Sequence, residues 1–156
     1  MAGDDRLIKL KIDNVYKEYQ GRNGKTVALN GVNLDIMENE FICVVGPSGC
    51  GKSTLLNIIA GLLEPTGGAV YLDGKQIEGT GVERGVVFQQ YALFPWRTVL
   101  KNVMFGLEMK KAPKDKAKQT ALKYIEAVGL KGFENSYTKE LSGGMKQRVA
   151  IARANA

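Results

Sequence analysis

Apolar and polar residues alternate through residues 7–15 (LIKLKIDNV), and a similar pattern recurs through 26–36, so both stretches are predicted as half-buried strands. Residues 41–45 (FICVV) read differently. They are continuously apolar up to Gly46, the pattern of a strand buried on both faces. A glycine-rich turn follows, and residues 52–63 (KSTLLNIIAGLL) then space their apolar positions for a helix. Beyond a Pro-Thr-Gly-Gly turn, residues 69–72 are predicted as a strand closed by Asp73-Gly74, a hairpin-turn pair, and residues 85–88 (GVVF) as a further strand.

The remainder reads as helical. Residues 100–109 begin it, and a second helix is predicted over 113–128, with Pro113 in the first position. Its apolar stripe is Ala121, Leu122, Ile125 and Val128, and Gly129 closes it in a left-handed conformation. A last helix is expected from Gly143 onward, with Val149, Ala150 and Ile151 as its apolar stretch.

Composition narrows the possibilities. With 156 residues and 44% hydrophobic content the chain has material for one domain with its own core. No apolar run reaches membrane-spanning length, and the acidic residues near the N-terminus do not suit a signal peptide, so a membrane role is expected to act through a partner. Cys43 and Cys50 have neither disulfide-framework nor zinc spacing, which fits a reducing cytoplasm. The lysines at 110, 111, 114, 116, 118 and 123 lack interleaved aromatic residues and read as a solvated helix face; no nucleic-acid partner is expected. The chain holds no histidine, so it has no imidazole for general-base, metal-ligand or pH-switch roles.

The chemistry concentrates at Gly46-Pro47-Ser48-Gly49-Cys50-Gly51-Lys52-Ser53, which fits G-x-x-x-x-G-K-[ST] at every fixed position between a predicted strand and a predicted helix. Glycines let backbone N–H groups close around a phosphate, and the helix start adds its positive dipole end. Lys52 is the candidate catalytic charge for the β- and γ-phosphates of ATP, Ser53 the candidate Mg²⁺ ligand, and Thr54 a helix-start donor to a phosphate oxygen. Cys50 reads either as a small filler or as a reactive thiol that bound ATP would shield.

Residues 141–147 (LSGGMKQ), continuing RVAIARA, resemble the signature segment of ABC ATPases, and Gln89 after GVVF resembles that family's Q-loop residue. Tyr19, in NVYKEYQ, resembles the aromatic residue that stacks on adenine, with Tyr16 as a competing candidate. The resemblance runs from about Leu7 to the last residue. It implies an α/β P-loop NTPase fold: a RecA-like core with an N-terminal antiparallel β subdomain and a helical subdomain. The expected divisions are 1–90 for the β subdomain and P-loop core, 91–141 for the helical subdomain and 142–156 for the signature helix.

In this reading Gln89 touches Mg²⁺ or the attacking water, as a second catalytic and metal-site candidate. Ser142, Gly143 and Gly144 offer a hydroxyl and free N–H groups at a helix start to the γ-phosphate held by a second ATPase subunit, most simply a second copy of the chain. Residues 91–96 (YALFPW), from Tyr91 to Trp96, would receive an integral membrane permease subunit, which places the protein on the cytoplasmic face of the membrane. Phe94-Pro95-Trp96-Arg97-Thr98-Val99 looks most like ATPases of the nitrate, sulfonate and taurine importer group.

The family pattern continues past its signature helix with a strand ending in a Mg²⁺-supporting Asp (the Walker B strand), a catalytic Glu and a switch His. None has a counterpart in these residues. The expectation is therefore a chain truncated before that strand, which hydrolyses ATP very slowly or not at all, while the complete protein is the working ATPase. Alternatives are a non-hydrolysing nucleotide-binding fragment and an ABC ATPase of DNA repair, although the latter's long insertions are not seen. Asn39, where the family usually has Gly, is expected to be left-handed.

Overall fold

A computed structural model describes residues 7–21 and 24–156, in two compact units, 1–84 and 85–156. The expectation on the acidic N-terminal residues lies outside the described positions.

The first unit is built on an antiparallel sheet of strands β1 (Ile8–Gly21), β2 (Gly24–Met37), β3 (Gly67–Leu72) and β4 (Lys75–Gln76), in the order β2-β1-β3-β4. The predicted alternation is realised in β1: Leu10 and Ile12 are buried while Lys9 and Lys11 face outward. It then changes parity. Asn14 adopts φ 47°, the register slips between Ile12 and Val15, and the next buried residue is the odd-numbered Val15. The bulge is fixed from both sides: the Asn14 N–H donates to Asn33 Oδ1 (2.8 Å), and Gly68 of β3 lies so close that a Cβ there would stand 2.1 Å from the Asn14 carbonyl oxygen.

Helix α1 (Lys52–Ile59) packs Leu55 and Ile58 against Leu10, Ile12, Val15, Leu29 and Val70 to form this unit's core. It stops earlier than the predicted residue 63 because Gly61 turns left-handed (φ 73°). Asp73 and Gly74 both take positive φ (50° and 74°), as a two-residue hairpin between β3 and β4 requires. Asn39 takes φ 61°, as expected of the residue type.

Two predicted strands are not formed. Residues 41–45 and 85–88 are unpaired, with Phe41 90% and Val45 86% exposed. Their composition suits a parallel sheet covered on both faces. Among the described residues neither segment pairs with the antiparallel β2-β1-β3-β4 sheet or with the other, and a strand without a ladder partner is only extended chain.

The second unit holds α2 (Val99–Met109), α3 (Lys114–Ala127), a 3-10 turn at Thr138–Glu140 and α4 (Gly143–Asn155). Thr98 caps α2 by accepting from the Lys101 N–H (3.3 Å). Val99 and Val103 of α2, Ala117, Ala121 and Ile125 of α3, and Val149 and Ala152 of α4 recur at three- and four-residue spacing and meet in one core. Two sequence expectations shift by one place. Pro113 is the N-cap of α3 and not its first helical residue, and the buried stretch of α4 is Val149, Ala150 and Ala152, with Ile151 turned outward. Gly129 does turn left-handed (φ 68°) after α3, and Arg148 Nη1 donates to the carbonyls just beyond the helix (3.0 Å to Val128 O, 3.3 Å to Gly129 O).

Candidate functional site

Gly51 closes the glycine-rich loop and opens α1. Its φ of 93° is left-handed, and a Cβ there would stand 2.5 Å from the Ala28 carbonyl oxygen of β2, so only glycine lets the loop dock on that strand. Gly49 is also left-handed (φ 83°) but faces open space. Gly46 is confined in another way: a Cβ there would meet Cys50 Sγ at 2.8 Å.

Helix α1 has no side-chain N-cap bond and no acidic residue in its first turn. Its first N–H groups are therefore open donors at a positive dipole end, a combination that favours an anion. The Lys52 ammonium curls over the same loop, donating to the carbonyl oxygens of Gly46 and Pro47 (2.7 Å each) and lying 3.6 Å from Cys50 Sγ. Those are solvent-exposed contacts that a phosphate oxygen can replace. Ser53 is exposed, with its hydroxyl free to reach a ligand.

Beside the loop opens a hollow of about 310 Å³, lined by Gly49, Gly51, Lys52, Ser53 and Thr54 together with Tyr19, Thr26 and Ala28. Tyr19 comes from β1, 35 residues away in sequence, and its hydroxyl lies 3.4 Å from Thr54 Oγ1. Tyr19 pairs with Thr26 across the β1–β2 hairpin, so both side chains share the face that meets the loop. Tyr16, its rival, does not line the hollow; its hydroxyl donates to Glu18 Oε2 at 3.4 Å. Thr26 and Ala28 carry no motif, and only the hairpin register reveals them.

The remaining candidates belong to the second unit. The Ser142 hydroxyl accepts from the Met145 N–H (3.3 Å) and caps α4. Ser142, Gly143 and Gly144 are all exposed, and a Cβ on Gly144 would touch nothing within 4 Å. Glycine is thus not demanded there by the chain's own packing, and its effect is to bare the backbone. Gln89 is exposed at a turn in which the Tyr91 N–H donates to Phe88 O (3.0 Å).

Two residues that carried no sequence signal stand out. Asn102 is fully buried, accepts from the Phe94 N–H (2.9 Å), and donates to the carbonyls of Phe94 (3.1 Å), Arg97 (3.1 Å) and Thr98 (3.0 Å), pinning the loop that presents the 71%-exposed Trp96. Arg153 of α4 donates to the carbonyls of Ala92 (2.7 Å) and Tyr91 (3.1 Å), and burial lowers its pKa from the ordinary arginine value. Among the described residues, no group of three or more His, Cys, Asp or Glu is placed to hold a metal ion. No described helix is long and apolar enough to cross a membrane.

Sheet, glycine loop and hollow define a P-loop nucleotide-binding module with a separate helical unit. The chain matches the ABC transporter family over residues 29–156 and therefore belongs to it, as an ATP-binding member. It is 59% identical over 150 residues to the ABC transporter ATP-binding protein MJ0412 of Methanocaldococcus jannaschii, covering 96% of this chain and 56% of that one. It is 50% identical over 147 residues to the nitrate import ATP-binding protein NrtD of Synechocystis sp., covering 94% of this chain and 55% of that one. The chain thus spans about half the length of these curated relatives. Among solved structures, the ABC transporter cassette MJ0796, described as dimeric and also solved with ADP and Pi, superposes with a TM-score of 0.84 at 40% identity. That match covers 93% of this chain and 68% of MJ0796. The fold is accordingly an α/β P-loop NTPase of the ABC cassette type.

Proposed function

We propose that this chain supplies the ATP-binding half-site of an importer's ATPase subunit, and that nucleotide closes two such subunits beneath a membrane permease. The observation that carries the reading is the joint presentation, around one hollow, of an uncapped helix start, the Lys52 ammonium and the Tyr19 ring. Backbone N–H groups within residues 46–54, Pro47 apart, hold the phosphates, Lys52 neutralises the β- and γ-oxygens, and Tyr19 stacks on adenine. Ser53 would ligate Mg²⁺, with Gln89 as the second, γ-phosphate-sensing contact, and the ion would supply charge neutralisation to the nucleotide's phosphates.

Ser142, Gly143 and Gly144 of one copy serve the nucleotide of the other, a role suited to bare N–H groups at the start of α4. The Trp96 loop is the surface offered to the permease, and the subunit works at the cytoplasmic face of the membrane. The likeness of residues 94–99 to importer ATPases and the kinship with NrtD favour nitrate-, sulfonate- or taurine-type anions as cargo. The divisions 1–90, 91–141 and 142–156 remain our functional partition of the chain.

No carboxylate among the described residues lines the hollow. The 156-residue chain is therefore expected to bind ATP far better than it hydrolyses it, since nothing at the hollow positions an attacking water. Titration calorimetry with Mg-ATP tests the central claim: saturable heat that Lys52→Ala abolishes is expected, and absence of heat from the unaltered chain would refute it. Phosphate release at the rate of full-length relatives would refute the slow-hydrolysis reading.

A further inference from the structure

Tyr91 and Ala92, two and three residues after Gln89, both hold left-handed φ (60° and 46°). Neither is glycine, and such consecutive residues persist only where surrounding contacts over-determine them. Within the segment only two short bonds are available, Tyr91 N–H to Phe88 O (3.0 Å) and Ala92 N–H to Gln90 O (2.7 Å). The outside contact is Arg153, whose guanidinium takes both strained carbonyls, Ala92 O at 2.7 Å and Tyr91 O at 3.1 Å.

The planar fork of arginine matches two successive carbonyls in a way that a lysine ammonium does not. The guanidinium also lies 5.7 Å from the Phe94 ring, which packs on Trp96 at 5.6 Å. The same turn reaches the other end of α4, for a Cβ on Gly143 would stand 3.4 Å from the Tyr91 hydroxyl. The turn carrying Gln89 is thus tied to the helix that opens with Ser142, at its glycine start and near its C-terminus.

We propose that Arg153 is the positioning residue for Gln89: it holds the strained Tyr91–Ala92 turn against α4, so that Gln89 and the Ser142–Gly144 helix start move as one body. This rests on the reading of Gln89 as the residue that answers the γ-phosphate. Arg153 itself contacts no nucleotide. Its effect is to keep Gln89 in one orientation, and loss of the clamp lets the turn relax to ordinary φ values and swing the glutamine away.

The test uses the full chain with Arg153→Met and Arg153→Lys. Amide hydrogen exchange by NMR should show the Tyr91 and Ala92 amides exchanging roughly tenfold faster in Arg153→Met, with Arg153→Lys intermediate and the core amides of α4 unchanged. Trp96, the chain's single tryptophan, should shift its emission in the same variants. Adding Ala92→Gly, which tolerates a positive φ without strain, should reduce the exchange penalty of Arg153→Met to a few-fold at most, about what relief of one strained residue gives.

Functionally, the ratio of Mg-ATP to Mg-ADP affinity should fall in Gln89→Ala and fall equally in Arg153→Met, with no further loss in the double variant. Unchanged exchange and emission in both Arg153 variants would overturn the clamp. Faster exchange combined with an unaltered nucleotide preference in Gln89→Ala would instead overturn the reading of Gln89, and with it the positioning role.

Discussion

Three glycines separate what the backbone needs from what the function needs. At Gly49, alanine must adopt φ 83° but meets no neighbour, so the cost is the left-handed penalty alone, about 1–2 kcal/mol. At Gly51, alanine faces the same penalty at φ 93° and its Cβ lands 2.5 Å from the Ala28 carbonyl oxygen and 2.9 Å from Leu29 Cδ2, where 3.4 Å begins ordinary contact. Backbone at that position cannot yield as a side-chain tip would. The loop must lift from β2, which adds roughly 1–3 kcal/mol for a total of roughly 2–5 kcal/mol.

Gly144 is the control. It has neither positive φ nor any atom near its Cβ, and it lies in the first turn of α4, so alanine there should leave stability unchanged or raise it by up to about 1 kcal/mol. Urea unfolding followed by circular dichroism gives the stabilities, and fluorescence titration with Mg-ATP gives the affinities. The expected order of destabilisation is Gly51→Ala, then Gly49→Ala, then Gly144→Ala, with nucleotide affinity lost most in the first. A Gly51→Ala variant no less stable than Gly49→Ala would show that the loop does not dock on β2 as described, and the geometry of the hollow would fall with it.

Tyr19→Ala should weaken ATP binding by about 1–3 kcal/mol, the usual worth of a base–aromatic stack, while Tyr16→Ala leaves affinity unaltered. Equal losses in fluorescence titrations would contradict the assignment. Cys50 is a free, exposed thiol 3.6 Å from Lys52 Nζ, and saturating Mg-ATP should slow its alkylation; mass spectrometry showing equal labelling with and without nucleotide would exclude a phosphate in that loop. Asn102→Leu should cost roughly 2–4 kcal/mol, because it strands the Phe94 N–H and the Arg97 carbonyl, while the Phe94 and Thr98 carbonyls keep the backbone N–H groups of Arg97 and residue 102, and it should shift Trp96 emission. The Gly132 N–H donates to Glu134 (2.9 Å) and lowers its pKa from the ordinary carboxylate value, so local protection of the turn after α3 should be full above that ordinary value. It should be lost as pH falls through the lowered one, as carbon-detected NMR titration can follow.

The sequence by itself determined whatever depends on residue type and near neighbours. The spacing of glycines, Lys52 and Ser53 marked the glycine-rich loop ahead of α1, Asp73-Gly74 the hairpin turn, Ser142 the start of α4 and Gly129 the end of α3, because caps, turns and glycine loops are made by contiguous backbone. Tertiary structure decided the rest. Tyr19 rather than Tyr16 faces the loop only because the Asn14 bulge and further register slips reset which residues share a face, and a change of parity leaves little mark in composition. Residues 41–45 have the composition of a buried strand, yet a strand exists only where another edge meets it. Arg153 could not have been distinguished from any basic residue of an exposed helix until the fold brought the strained carbonyls of Tyr91 and Ala92 beneath it, 61 and 62 positions away in the chain. Local chemistry is written along the sequence, whereas facing, pairing and strain arise only when distant segments take their places.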